Sequence, residues 1–194
     1  MTLKNFVLPS FLTVGQIVPI IVERLGINGE GVGRFHNLTI FVDGALPGEV
    51  IDLRIKEVKK TYATGEIVSF LKKSPHRLVP PCSLFGRCGG CQLMHLSYEE
   101  QLVQKRQRVI DAFERIGKLS GFDVEPCVPS PSILGYRNKI QLPVLQTQEG
   151  LKLGLYARLS HDFVPVERCM IHSDLGETIL QKLIYDAIKK SALL

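Results

Sequence analysis

Three thiols within ten residues, on a loop with two adjacent glycines, constrain this chain more than any other feature. The pattern is Cys82-x5-Cys88-Gly89-Gly90-Cys91, and Cys169 stands alone far downstream. Cysteines that close share a soft metal ion or cluster, pair as disulfides, or pack as small apolar groups. The count of five is odd and no secretory leader is expected, which disfavours a disulfide framework. Gly89 and Gly90 let the backbone pass close to an inorganic sulfide and present N–H donors to it. An iron–sulfur cluster uses four thiolates, and one of them is commonly distant in sequence. Zinc competes: Cys82, Cys88 and Cys91 with a fourth Cys, His95 or His172 would complete a tetrahedral site, but only the 88–91 spacing has the usual knuckle form. Cys127, in a Glu-Pro-Cys-Val-Pro setting, reads as a small apolar residue outside the motif.

The rest of the chain separates around this loop. Its 194 residues suit one large or two small domains, and 45% hydrophobic against 22% charged residues disfavours disorder. Residues 1–14 read as an arm. Residues 15–75 read as a five-stranded β-barrel of OB-like size; four of its strands fall over 15–22, 37–42, 50–58 and 62–71, with a glycine-rich turn at 26–33. In the 50–58 segment Ile51, Leu53 and Ile55 share one face, opposite Asp52, Arg54 and Lys56. Gly29-Glu30-Gly31-Val32-Gly33 has the look of a nucleotide or S-adenosylmethionine loop, but a strand follows it rather than a helix, so a hairpin turn is the better reading. After the cysteine loop, residues 97–117 read as one helix. Ser97 is its N-cap, Glu99 and Glu100 lie in its first turn, and Gly117 stops it. Its apolar face carries Leu102, Val109, Phe113 and Ile116. A Pro/Ser connector over 121–135 leads to strands at 136–145, 151–157 and 163–166 and a helix at 173–190. The fold class is α+β: the barrel, the cysteine loop, a long helix and a partial α/β domain over 76–194.

The net charge is +5 and lies wholly in the first 120 residues. That permits a nucleic-acid partner without demanding one. Basic and aromatic residues cluster at Lys56, Lys59, Lys60 and Tyr62, and again around Tyr136, Arg137, Lys139, Tyr156, Arg158 and His161. Basic grooves with stacking aromatics suit single-stranded RNA, while an ordinary solvated strand face is the plainer alternative. No Ser/His/Asp set and no paired carboxylates stand out. No stretch is apolar enough to span a bilayer, and a soluble, cytoplasmic protein is expected.

Several segments together resemble one family. PCSLFGRCGGCQLMHLSYEEQL at 81–102 is similar to the iron–sulfur segment of the bacterial RNA (uracil-5-)-methyltransferases. Gly135-Tyr136-Arg137-Asn138-Lys139 resembles their YRNK motif, and Gly154-Leu155-Tyr156-Ala157 with Ser160, His161 and Cys169 resembles the next segment. Residues 15–70 look like a TRAM domain, the RNA-binding barrel that precedes the catalytic part. The resemblance implies a [4Fe-4S] cluster on Cys82, Cys88, Cys91 and Cys169, and S-adenosylmethionine-dependent methylation of uridine C5 through attack of a thiolate on C6. Barrel and cluster together favour 23S ribosomal RNA over tRNA as substrate. The family's cofactor site and nucleophile belong to a C-terminal methyltransferase domain that this sequence does not match. The chain is therefore expected to be inactive alone, with helices whose apolar faces await that domain. A stand-alone RNA-binding module, a zinc-bound protein adaptor and, less readily, a ferredoxin-like carrier are the other classes.

Overall fold

The computed structural model describes residues 11–148, 150–158 and 160–191, with side chains to residue 186. The first ten residues of the expected arm lie outside the described residues. The chain divides into two compact units: residues up to Arg77 with His95–Ser97, and Leu78–Met94 with Tyr98 onward.

In the first unit, apolar residues alternate with polar ones and dictate strands. β1 (Ile17–Leu25), β2 (Gly31–Phe35), β3 (Leu38–Val42), β4 (Val50–Val58) and β5 (Tyr62–Lys72) close a barrel in the order β1-β2-β3-β5-β4. Only β3 and β5 run parallel; β1 closes the ring antiparallel to β4. Alternation with period two sends Val18, Ile20 and Val22 of β1 and Ile51, Leu53 and Ile55 of β4 inward, all at most 2% exposed. Leu12, from the end of the expected arm, packs against the same core.

The expected 26–33 turn is shorter than the sequence suggested. Gly31 and Gly33 lie inside β2, where the backbones crowd. A Cβ on Gly33 would stand 2.5 Å from the Ile21 carbonyl oxygen, and one on Gly31 would stand 2.7 Å from the Ala45 Cβ. These glycines serve close strand packing rather than a left-handed turn.

An ion pair locks the end of the barrel chain. Glu49 is fully buried and accepts from Arg77 Nε at 2.5 Å, Arg77 Nη2 at 2.7 Å, and the amides of Leu46 at 2.8 Å and Ser74 at 3.3 Å. Burial opposes its charge, but the Arg77 hydrogen bond and the two amides outweigh burial and hold the carboxyl below its ordinary value. Arg77 also donates to the Gly44 carbonyl at 2.6 Å and lies 4.8 Å above the Phe70 ring. After the cysteine loop the chain returns to this unit: Leu96 bridges Arg77, and the Ser97 amide donates to the His76 carbonyl at 2.9 Å. His95 and Leu96 are buried there.

The second unit holds α1 (Tyr98–Asp111), a single π-helical stretch at Ala112–Ile116, a sheet of β6 (Val144–Thr147), β7 (Gly150–Tyr156) and β8 (Phe163–Pro165), and α2 (Asp174–Ser191), which packs on β7. The expected 136–145 strand reduces to Val144–Thr147, because residues 136–143 form one isolated bridge, Arg137 to His172, and meet β7 only at Pro143, whose carbonyl accepts from the Gly154 amide at 3.1 Å. The expected helix ends as a wide turn at Gly117, which keeps a right-handed conformation. No residue of α1 or of the π-helical stretch is buried, and Val103, Val109, Phe113 and Ile116 are all more than 40% exposed. The 121–135 connector lies along this helix: Arg106 Nε donates to the Val124 carbonyl at 2.6 Å, and the Ser130 amide to the Tyr98 hydroxyl at 2.6 Å. No helix among the described residues is long and apolar enough to cross a membrane.

Candidate metal centre

The cysteine loop is built from tight turns. The Phe85 amide donates to the Cys82 carbonyl at 3.1 Å, and the Cys88 amide to the Leu84 carbonyl at 2.8 Å. Gly86 sits at φ +86° between them, a conformation that glycine adopts without strain. The loop then meets the end of β7: Cys88 bridges Ala157, and the Gly89 amide donates to the Tyr156 carbonyl at 3.0 Å. A Cβ on Gly89 would stand 3.0 Å from that same oxygen and 3.2 Å from the Arg158 nitrogen, so glycine permits the approach. The Gly90 amide points at the Cys88 sulfur, 3.4 Å away.

Cys169 arrives from the other side. Its turn is held by the His172 amide on its carbonyl at 3.1 Å and by its own amide on Glu177 Oε2 at 3.2 Å. Beside it, the Gly135 amide donates to the Met170 carbonyl and the Arg137 amide to the Ile171 carbonyl, at 3.0 and 2.8 Å. The result is one pocket lined by Cys82, Cys88, Cys91 and Cys169 together, with an apolar wall that includes Phe85, Leu155 and Ile171 and with Arg137 and Arg168 at its border. Cys127 is not among its lining residues. Neither is His172, whose Nδ1 instead faces Glu177 Oε2 at 3.7 Å. His95 belongs to the barrel unit and does not line it either.

The electrostatics of the pocket show at Cys91. Burial pushes the Cys91 thiol up; Cys169 and Cys88 push the same way, Arg137 pulls it down, and Cys82 adds a further upward push. Among the described residues no three His, Cys, Asp or Glu side chains are placed to grip one metal ion. A four-iron cluster asks for a different spacing, since each thiolate holds its own iron at the corner of a larger group. The donor chemistry fits such a cluster: four soft thiols, an apolar wall, and a backbone N–H aimed at a sulfur.

The residues singled out for RNA fall in both units. Lys56 shares Glu66 with Arg54, at 3.3 and 3.0 Å, and Lys59 pairs with Glu57 at 2.6 Å. Lys60 is exposed and among the described residues carries no ion pair, and Tyr62 packs edge-on to Phe41 with ring centres 5.7 Å apart. In the second unit Lys139 is exposed, Arg158 follows the bridge to the cysteine loop, and His161 stands edge-on to Tyr156 at 6.0 Å. Arg137 faces the thiols. The tyrosine-arginine motif was legible in sequence, but the direction of its arginine was not, because that direction depends on pairing with the 170–173 segment.

Comparison with known proteins agrees with this architecture. Residues 12–68 match the TRAM domain family. A Bacillus anthracis protein named as an RNA methyltransferase is 41% identical over 95% of this chain and 42% of its own length. One from Halalkalibacterium halodurans is 43% identical over 91% of this chain and 39% of its own. The crystal structure of Pyrococcus abyssi tRNA (uracil-54, C5)-methyltransferase with S-adenosyl-L-homocysteine shares 29% identity and a TM-score of 0.55, covering 89% of this chain and 39% of that one. The chain thus spans about two fifths of the length of these relatives. Residues 12–68 are a TRAM domain by family match, in a chain similar over nearly all its length to proteins named RNA methyltransferases.

Proposed function

We propose that this chain is the RNA-recognising, [4Fe-4S]-binding portion of an S-adenosylmethionine-dependent RNA (uracil-5-)-methyltransferase that acts on 23S ribosomal RNA. One observation carries the reading: four cysteines spread over 82–169 line a single pocket, in a chain whose residues 12–68 match the TRAM domain family. Cys82, Cys88, Cys91 and Cys169 would hold the cluster. Bound there, it supplies four iron–thiolate bonds that pin the loop to a distant segment, a structural service in a reaction that needs no electrons.

The chain's own residues bind and orient. The barrel, through Lys60 and Tyr62, and the second unit, through Lys139, Arg158 and His161, contact phosphate and bases and fix the register of the RNA. Methyl transfer is the work of a further domain. Two exposed apolar rows, Val109, Phe113 and Ile116 on the first helical stretch and Leu175, Ile179 and Leu183 on α2, are the surfaces we assign to it. Without that domain the chain self-associates; a compact monomer in sedimentation that binds no hydrophobic dye would refute this assignment.

The central test is anaerobic purification with iron and sulfide analysis and an absorption spectrum. About four irons per chain with broad visible absorbance is the expected result. One zinc without colour would replace the cluster with a structural zinc module. For the substrate, the chain should retain 23S fragments in preference to tRNA at matched salt; the reverse preference would assign it to tRNA.

A further inference from the structure

The four-thiol pocket leaves one charge unaccounted for. Arg137 is half-buried, yet among the described residues it forms no ion pair with a carboxylate. A guanidinium withdrawn from water asks for a counter-charge. Its backbone is held on both sides, by its amide on the Ile171 carbonyl at 2.8 Å and by the Ser173 amide on its own carbonyl at 2.9 Å. The side chain therefore leaves a fixed point toward the thiols, while Tyr136, Asn138 and Lys139 around it are exposed. The other arginine at the pocket, Arg168, is exposed, so water solvates its charge, and it also borders an open cleft with Glu167, Asp174 and Glu177.

We propose that Arg137 is a positioning residue of the cysteine pocket, whose guanidinium balances the negative charge gathered by four thiolates, and that it is not an RNA contact. This rests on the cluster reading above. The pull of Arg137 on the Cys91 thiol has the same sense. Four thiolates carry more negative charge than an iron–sulfide core neutralises, and charge near a cluster is one of the levers on its stability and potential. Arginine suits the place because it stays cationic at any working pH and spreads its charge over a plane.

The test compares Arg137→Gln, Arg137→Lys and Lys139→Gln in the full chain, purified anaerobically. The readouts are the rate of iron loss to a chelator, the reduction potential and retention of a 23S fragment. Arg137→Gln should lose iron about tenfold faster, in the range seen when outer partners of metal ligands are removed, and its potential should fall. Arg137→Lys should restore most of the stability, and RNA retention should stay within about twofold of the parent. Lys139→Gln should show the opposite pattern, with weaker RNA retention and unchanged iron. If Arg137→Gln fails to fold, Arg137→Lys decides: normal iron retention supports the proposal, and rapid loss overturns it. Iron retention equal to the parent in Arg137→Gln, with RNA retention lost, overturns the proposal while leaving the cluster in place. A parent chain that takes up no iron overturns both readings.

Discussion

The barrel should lose stability in mild acid through one histidine. His95 is 3% exposed, and its imidazole sits beside the Arg77 guanidinium. Burial disfavours its charged form, Arg77 repels it, and the Gly44 carbonyl and Glu49 favour it too weakly to compensate, so its pKa falls from 6.5 to about 4. In the unfolded chain the same side chain takes up a proton near pH 6.5. Between those values the unfolded state binds more protons, so stability rises with pH. The contribution is complete above about pH 6.5 and is lost as pH falls toward about 4. From about pH 7.5 to about pH 5 the linkage relation gives a loss of about 2 kcal/mol. Glu49 works in a lower window. Its carboxyl is also held below its ordinary value, so its contribution stays intact at pH 5 and is lost only as pH falls through its folded value.

The assay is urea unfolding at both pH values, read by pulsed hydrogen exchange on peptides of β4 and β5 so that the barrel is followed by itself. With a slope of about 2 kcal/mol per molar urea, the midpoint should fall by about 1 M. His95→Gln cannot take up the proton and should erase most of that difference, whatever its own stability. Equal parent midpoints at the two pH values, or an undiminished shift in His95→Gln, would refute the reasoning.

Other outcomes follow from the same geometry. Glu49→Gln leaves Arg77 without its counter-charge and should destabilise the barrel by about 3 kcal/mol or more in the same urea assay. Cys169→Ser should abolish most iron binding in metal analysis, whereas Cys127→Ser, outside the pocket, should leave iron content unchanged. Lys60→Ala should weaken RNA retention and reduce the salt slope by about one, while Lys56→Ala, whose ammonium already serves Glu66, should change both much less.

How far the sequence could be read depended on the range of the interaction. Strand β4 was legible because Ile51, Leu53 and Ile55 alternate with polar residues, and alternation is a local property. The glycine run at 26–33 misled because glycine serves turns and close strand packing alike, and only the approach of Ile21 on the neighbouring strand and of Ala45 separates the two uses at Gly33 and Gly31. The expected 136–145 strand splits: Arg137 meets a short stretch before α2 and forms one bridge instead of a ladder, while Val144 and Leu145 pair with β7. Glu49 gave no sign of burial, since its partner Arg77 lies 28 residues on, beyond two strands.

Charge shows the same limit in a form that bears on function. Counting residues places the whole +5 in the first 120 positions and makes 54–60 look like a cationic patch. In the fold, Arg54 and Lys56 converge on Glu66 across the β4–β5 pair, and Lys59 turns back to Glu57. Such exposed pairs add little stability. They still lower the local field that a phosphate would meet, which leaves Lys60 as the cation of that turn without a carboxylate partner among the described residues. Arg137 belongs to the same argument, because its neighbours are exposed while it faces sulfur. A basic residue reads as an RNA contact only after its carboxylates and thiolates have been found, and those partners are set by pairing across the fold rather than by proximity in sequence.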